Sequence, residues 1–312
     1  MLAVDLHSDM QLDLDRAGVE PADIFASRHL LEMEAGGIGV RNLATVSPAP
    51  NPTGRAVRHL AATLAAGCPI ATSATELDGH QPVFVLGLEG AEPFGEDVHL
   101  VTAFHRLGVR VFQLAWMSGN SVTGTCGDAR PKGLSDFGAE VVSAITELGG
   151  IIDLAHISDQ GFEDVVEHSD GPIMCSHTCS RRLNKHPRNI TDEQIGWIAE
   201  RDGIVGLAFV NDFLGGSPAT VDACVDHIEH FIEIAGDDHV GLGPDWCGYA
   251  LDILEPLNAG AQRPVNVRCG EPVGLETPRG LPLLAQALEQ RGLPAEKVMG
   301  GNAMRFLRKA LA

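Results

Sequence analysis

Eight short apolar runs, separated by amphipathic stretches, recur along the 312-residue chain at 2–7, 38–46, 82–89, 109–116, 150–156, 171–177, 203–210 and 239–245. Strand-like runs that alternate with helix-length segments build parallel βα units, and eight strands close such a sheet into a barrel. The segments between them carry helical signals. From Asp136 to Leu148 the apolar residues Phe137, Val141, Val142, Ile145 and Leu148 fall at helical spacing, with Ser135 placed as N-cap and Gly149 after the last turn. Thr220 to Ala235 repeats the pattern through Val221, Cys224, Val225, Ile228, Phe231 and Ile232. An open doubly wound sheet is the rival, but no Gly-x-Gly-x-x-Gly follows the first strand. The predicted fold class is α/β, a (β/α)8 TIM-like barrel forming a single domain over residues 1–312. Pro256 to Pro278, rich in Pro, Gly, Asn and Arg, reads as a long loop after the last strand and a candidate active-site cover.

Lys and Arg number 22 against 42 Asp and Glu, giving a net charge of −20. That balance argues against binding to nucleic acid phosphates and to anionic membrane surfaces. Apolar runs stop well short of a membrane span, and the first residues lack the basic-then-apolar pattern of a secretory signal. The cysteines (Cys68, Cys126, Cys175, Cys179, Cys224, Cys247 and Cys269) are odd in number and scattered, as expected of reduced thiols. Cys175 and Cys179 have no second pair at zinc-ribbon spacing. A cytoplasmic enzyme acting on a small molecule is expected.

The residues that could carry chemistry stand where apolar runs stop. The first run reads Val4-Asp5-Leu6-His7-Ser8-Asp9, and at strand spacing His7 and Asp9 point to the same side. Leu86-Gly87-Leu88-Glu89-Gly90 ends in a carboxylate, Ile152-Asp153-Leu154-Ala155-His156 and Met174-Cys175-Ser176-His177 end in histidines, and Gly241-Leu242-Gly243-Pro244-Asp245 ends in an aspartate. Each alone has an ordinary reading, as a core histidine, an ion-paired glutamate or a capping aspartate. In a closed barrel, however, the C-terminal strand ends share one opening. Imidazole and carboxylate together suit zinc-like divalent ions. His7, Asp9, Glu89, His156 and His177 make two half-sites with one carboxylate left to bridge, as in two-metal hydrolases whose ions lie roughly 3.5–4 Å apart. Such a pair would share a hydroxide and polarise an amide or ester carbonyl. A carboxylate beside it can carry the proton to a leaving amine, and Asp245 is expected in that role.

In their order along the chain these motifs resemble the renal (membrane) dipeptidase family of the amidohydrolase superfamily. His7-Ser8-Asp9 matches its N-terminal His-x-Asp, and Gly87-Leu88-Glu89-Gly90 its bridging glutamate. Gly133-Leu134-Ser135-Asp136-Phe137-Gly138 and Asp153-Leu154-Ala155-His156-Ile157-Ser158 are similar to its Gly-Leu-Ser-x-Phe-Gly and Asp-Leu-x-His-x-Ser segments. Arg188-Asn189-Ile190, beginning eleven residues beyond His177, looks like the Arg-Asn element whose arginine binds the substrate carboxylate. A guanidinium fork suits that bidentate contact. The resemblance implies two zinc ions, one held by His7, Asp9 and Glu89, the other by Glu89, His156 and His177. It also implies Asp245 as the catalytic aspartate, hydrolysis of a dipeptide or dipeptide-like amide, and a homodimer.

Two departures stand out. The fourth strand reads Gln113-Leu114-Ala115-Trp116-Met117 where the family has Leu-Thr-His-Asn, so Trp116 takes the place of a histidine that contacts the substrate carbonyl. Trp offers one N–H donor and fills far more space. It either lines the substrate pocket, narrowing it or stacking on a planar group, or belongs to the core. Trp246 and Cys247 follow Asp245 where the family often has a second Asp. The rivals to a dipeptidase are a hydrolase of another carboxylate-bearing amide or lactone, and a metal-bound barrel without catalysis.

Overall fold

The computed structural model describes residues 1–79, 82–258 and 270–312. Eight parallel strands close into a barrel in sequence order: β1 (Ala3–Ser8), β2 (Ile38–Val46), β3 (Val83–Glu89), β4 (Val109–Gln113), β5 (Ile151–Asp153), β6 (Ile173–Thr178), β7 (Ile204–Leu207) and β8 (Val240–Leu242). Asp5 of β1 pairs with Leu242 of β8 and shuts the ring. All the predicted strands are present, but the runs at 109–116, 150–156, 203–210 and 239–245 each outlast their strand by three residues. Those residues stay largely buried beneath the loops while the backbone leaves the ladder. His156 (φ 65°) and Asp245 (φ 61°) adopt left-handed conformations that no strand accommodates.

Helices pack around the wall. Ser135 Oγ accepts from the Gly138 amide and caps helix Asp136–Glu147, and Gly149 (φ 70°) follows its end. Thr220 caps Val221–Ala235 through the Ala223 amide. Phe84, Phe104, Phe112, Phe162 and Phe231 are buried between strands and helices. Inside the barrel, Val4, Val40, Val85, Val111, Met174 and Ile204 fill the lower layers, and Phe306 and Leu307 of the C-terminal helix Asn302–Ala310 plug the bottom. The interior is therefore solid at one end. Polar inward positions begin at the other, as strict alternation carries β3 from Val83 and Val85 through Gly87 to Glu89.

The predicted loop from Pro256 begins as the end of helix Leu251–Asn258. Residues 259–269, with Cys269, lie outside the described residues. The chain then packs beside the β7 loop, where the Asn211 amide donates to Gly270 O at 3.1 Å and Val273 N to Ala219 O at 3.0 Å. Cys68, Cys126, Cys175, Cys179 and Cys224 are free thiols. Among the described residues no helix is long and apolar enough to cross a membrane.

The segments after β1 and β8 are tied together by charge. Asp13, fully buried, receives Arg28 Nη1 at 2.9 Å, His29 Nε2 at 3.0 Å and the Nε of Arg16. The same Arg16 reaches both carboxylate oxygens of Asp252, at 2.8 and 2.9 Å, and Tyr249 O at 2.7 Å. Burial alone would raise the Asp13 carboxyl, but its bonds to His29 and Arg16 outweigh that and bring it down to about 2. A carboxyl below its unfolded value of 3.8 contributes stability that is present above that pH and lost as pH falls through 2. Asp13→Asn should therefore cost on the order of 2 kcal/mol in urea unfolding at neutral pH, with the gap to the native protein shrinking between about pH 4 and pH 2.

Candidate metal centre

β3 delivers Glu89 in unbroken register with β2, opposite Val46, and opposite Gln113 of β4 beyond a register shift at Leu86–Gly87. β1 and β6 do not run so simply. Between the pairs Asp5–Arg41 and Ser8–Leu43, β1 spends two residues against one of β2. Between Cys175–Val205 and Thr178–Leu207, β6 spends two against one of β7. The extra residue falls in the steps that carry His7 and His177. Val4, Leu6 and Met174 pack in the barrel interior, so unbroken alternation would turn both histidines outward. A bulge re-aims them into the mouth. The expectation that His7 and Asp9 share a strand face is thus corrected. β1 ends at Ser8, and Asp9 (φ −80°, ψ 18°) has already turned into helix Met10–Leu14.

The bulge in β6 pushes the Ser176 carbonyl toward its neighbours. A Cβ at position 206 would lie 1.9 Å from that oxygen, and one at position 243 would lie 1.8 Å from it. Only glycine permits such an approach, and Gly206 and Gly243 provide it. On the other side Asp153 Oδ1 accepts the Ser176 amide at 2.9 Å and the Ala155 amide at 3.1 Å. That second bond fixes the turn that carries His156.

The other four predicted ligands gather around Glu89. Its Oε1 lies 3.2 Å from His156 Nε2, 3.6 Å from His7 Nε2 and 3.9 Å from His177 Nε2. Gln113 Nε2 donates to the same oxygen at 3.4 Å. His156 Nε2 and His177 Nε2 are 3.1 Å apart, and the His7 and His177 rings lie 3.7 Å apart between centroids, tilted by 35°. Ser176 Oγ, 2.8 Å from His177 Nδ1 and 3.5 Å from His7 Nδ1, leaves both Nε2 atoms free to face Glu89. Among the described residues three groups have ligand atoms within 4.8 Å of one another: His7, Asp9 and Glu89; Glu89, His156 and His177; and His7, Asp153 and His177. Sequence reasoning missed Asp153 as a site residue. Its signal was a carboxylate inside the apolar run Ile151-Ile152-Asp153, and its accepted amide bonds make it a holder of the other groups.

Burial removes charge from this cluster. It lowers His7 to about 3 and His156 and His177 well below their usual range, with the Arg188 cation adding to each shift. Neutral imidazoles keep a lone pair for a cation. Burial also raises Asp9 to about 7 and holds Glu89 and Asp245 well above the carboxylate range, the last two pushed further by Asp9. Among the described residues His7 Nε2, Asp9 Oδ1 and Glu89 Oε2 are buried without a hydrogen-bond partner. Crowded acids, free imidazole nitrogens and orphaned buried atoms fit a divalent cation of the zinc type.

The remaining predicted residues ring the cluster. Asp245, partly open to solvent, has Oδ1 3.8 Å from His7 Nε2. Arg188 is buried, donates from Nη2 to His177 O at 3.1 Å and lies 5.1 Å above the Phe213 ring. Its Nε is unpaired among the described residues. Trp116 stands half-buried beyond the end of β4, with its carbonyl accepting Thr125 Oγ1 at 2.8 Å. Trp246, by contrast, is buried structure, with Nε1 donating to Leu275 O at 2.8 Å.

A family model for membrane dipeptidases (peptidase family M19) matches residues 1–258. The chain belongs to this membrane dipeptidase family. It is 32% identical to dipeptidase tcpJ of Claviceps purpurea over 232 residues, 72% of this chain and 50% of that protein. An uncharacterized dipeptidase of Schizosaccharomyces pombe is 30% identical over 229 residues, 71% of this chain and 51% of the relative. The chain thus spans about half the length of the curated relatives it matches. Among solved structures, an amidohydrolase from Pseudomonas aeruginosa superposes with a TM-score of 0.84 at 26% identity, covering 99% of this chain and 96% of that one. The membrane dipeptidase fold and the strand-end cluster therefore occur together here.

Because two glycines accommodate the Ser176 carbonyl, Gly243→Ala should be severely destabilising. A Cβ 1.8 Å from a backbone oxygen forces the bulge to shift, and His177 with it. Overpacking of this kind costs at least 1–3 kcal/mol, by order of magnitude. Denaturant unfolding and metal titration should both report the loss, whereas Gly196→Ala, in open space on helix Asp192–Glu200, should leave metal titration unchanged.

Proposed function

We propose that the chain is a metal-dependent dipeptidase, one amidohydrolase barrel domain that hydrolyses a dipeptide or dipeptide-like amide. The observation that carries this reading is Arg188, a buried guanidinium whose Nε is unpaired among the described residues, set beside two candidate ligand triads that share Glu89. A pocket that pairs a carboxylate binder with such a cluster suits an amide whose C-terminal residue has a free carboxylate.

His7, Asp9 and Glu89 would hold one divalent ion, and Glu89, His156 and His177 a second, with zinc the natural choice for imidazole and carboxylate. Bound there, the ions would acidify water and polarise the amide carbonyl. Arg188 holds the substrate carboxylate and so fixes where the scissile bond lies. Asp245, with Oδ1 3.8 Å from His7 Nε2, would take a proton from the attacking water and return it to the leaving amine. The departure at Trp116 favours a second reading, hydrolysis of another carboxylate-bearing amide or lactone, because an indole cannot replace a protonatable histidine near the carbonyl.

Metal analysis tests the first half. The native protein should hold close to two divalent ions per chain, His177→Ala should lose mainly one, and Glu89→Ala should disturb both. A fully active protein after complete chelation would overturn the proposal. Kinetics test the second half. Asp245→Asn keeps the shape without the base and should lower kcat by about 10²–10⁴ with metal content retained. Arg188→Ala should raise KM for free-carboxylate dipeptides, and amidating that carboxylate should cost the native enzyme about as much. Equal turnover of free and amidated substrates by the native enzyme would remove Arg188 from its role.

A further inference from the structure

Trp116 follows β4, yet its side chain packs on a small apolar cluster made by Leu12, Ala250 and Leu254, which follow β1 and β8. In a ring of eight strands taken in order, β4 stands opposite β8. The segments that follow β4, β1 and β8 therefore meet at the barrel mouth, on the side of the strand ends that carry the candidate ligands. Tyr249 and Ile253 pack against the same cluster, both only partly buried. Tyr249 also brings its hydroxyl to 3.4 Å from Ser8 Oγ, between His7 and Asp9 in sequence. The wall starts at the β1 ligands and is anchored by Arg16, which grips Tyr249 O and Asp252.

Orientation follows from Arg188, which bonds the His177 carbonyl on the β6 side. With a carboxylate held there and the scissile carbonyl over Glu89, the N-terminal residue of a dipeptide extends toward His7 and Asp9. It meets the wall. Resting on the dipeptidase reading, we infer that Trp116, Leu12, Tyr249 and Leu254 form a subsite for an apolar side chain on the substrate's N-terminal residue. A polar or charged side chain there would lose its water without a partner, and glycine would leave the wall unfilled.

The test uses metal-loaded enzyme and dipeptides with a common C-terminal alanine, supplied in both chiralities, and N-terminal Gly, Ser, Asp, Leu, Met or Phe. Native kcat/KM should favour Leu, Met and Phe over Gly by roughly 10- to 200-fold, the span that a few methylenes give in an apolar pocket. Trp116→Ala should collapse that ratio, and Leu254→Ala should lower it in part. Calorimetry with the slow Asp245→Asn protein adds a binding readout: the Leu dipeptide should bind more tightly than the Gly dipeptide, with a negative heat-capacity change. Turnover of the whole panel with no apolar preference, or a ratio that survives both substitutions, overturns the subsite alone. Metal-loaded enzyme that cleaves none of the dipeptides overturns the dipeptidase reading and this inference with it.

Discussion

The Ser176 carbonyl sits where side chains at positions 206 and 243 would be, and the ligand cluster depends on that intrusion. A strand of regular pleat would present Ser176 inward and His177 to the surrounding helices. One extra residue in β6 brings His177 inward beside Ser176, and it is tolerated because Gly206 of β7 and Gly243 just after β8 stand at the point of contact. Asp153 completes the arrangement from β5 by accepting the Ser176 amide. A buried amide at a bulge has lost its ladder partner, and a carboxylate oxygen replaces it. The same carboxylate then fixes the turn to His156. One backbone irregularity thus places two of the five predicted ligands.

A second constraint is electrostatic. Asp9, Glu89 and Asp245 share a small buried volume with three imidazoles that burial keeps neutral. Nearby acids in low dielectric repel one another unless protons or a cation intervene. The histidines do not supply that positive charge, and Arg188 supplies one cation beside the cluster. The molecule therefore holds ready a demand for positive charge, which the proposed pair of divalent ions would meet. His156 and Asp245 also occupy left-handed conformations, each costing on the order of 1–3 kcal/mol for a residue other than glycine. Packing elsewhere sustains them. The solid lower barrel, plugged by the C-terminal helix, supplies a rigid base for this strained rim.

Much of this was legible in the sequence because it rests on period and composition. The eight apolar runs, the capped helix after Ser135, and the five candidate ligands at run ends are all readable from pattern alone. What misled was the assumption that an apolar run is a strand to its last residue. At Trp116, His156 and Asp245 the burial continues while the ladder stops, and hydropathy registers burial only. The grouping of His7 with Asp9 was anticipated for the wrong reason. Strand alternation was expected to align them, whereas a bulge and a helix start do so.

The sequence by itself determined the barrel and the inventory of groups at its mouth, since both follow from local pattern: alternation, helical spacing, and where hydrophobic runs give way to charge. Tertiary structure decided which way those groups point. The bulges in β1 and β6 arise from pairing between strands far apart in the chain, and a glycine at 243 has meaning only beside the carbonyl of residue 176. The reach of Trp116 to the segment after β8 is likewise a property of ring closure, because residues more than a hundred positions apart become neighbours across the mouth only when β1 pairs with β8.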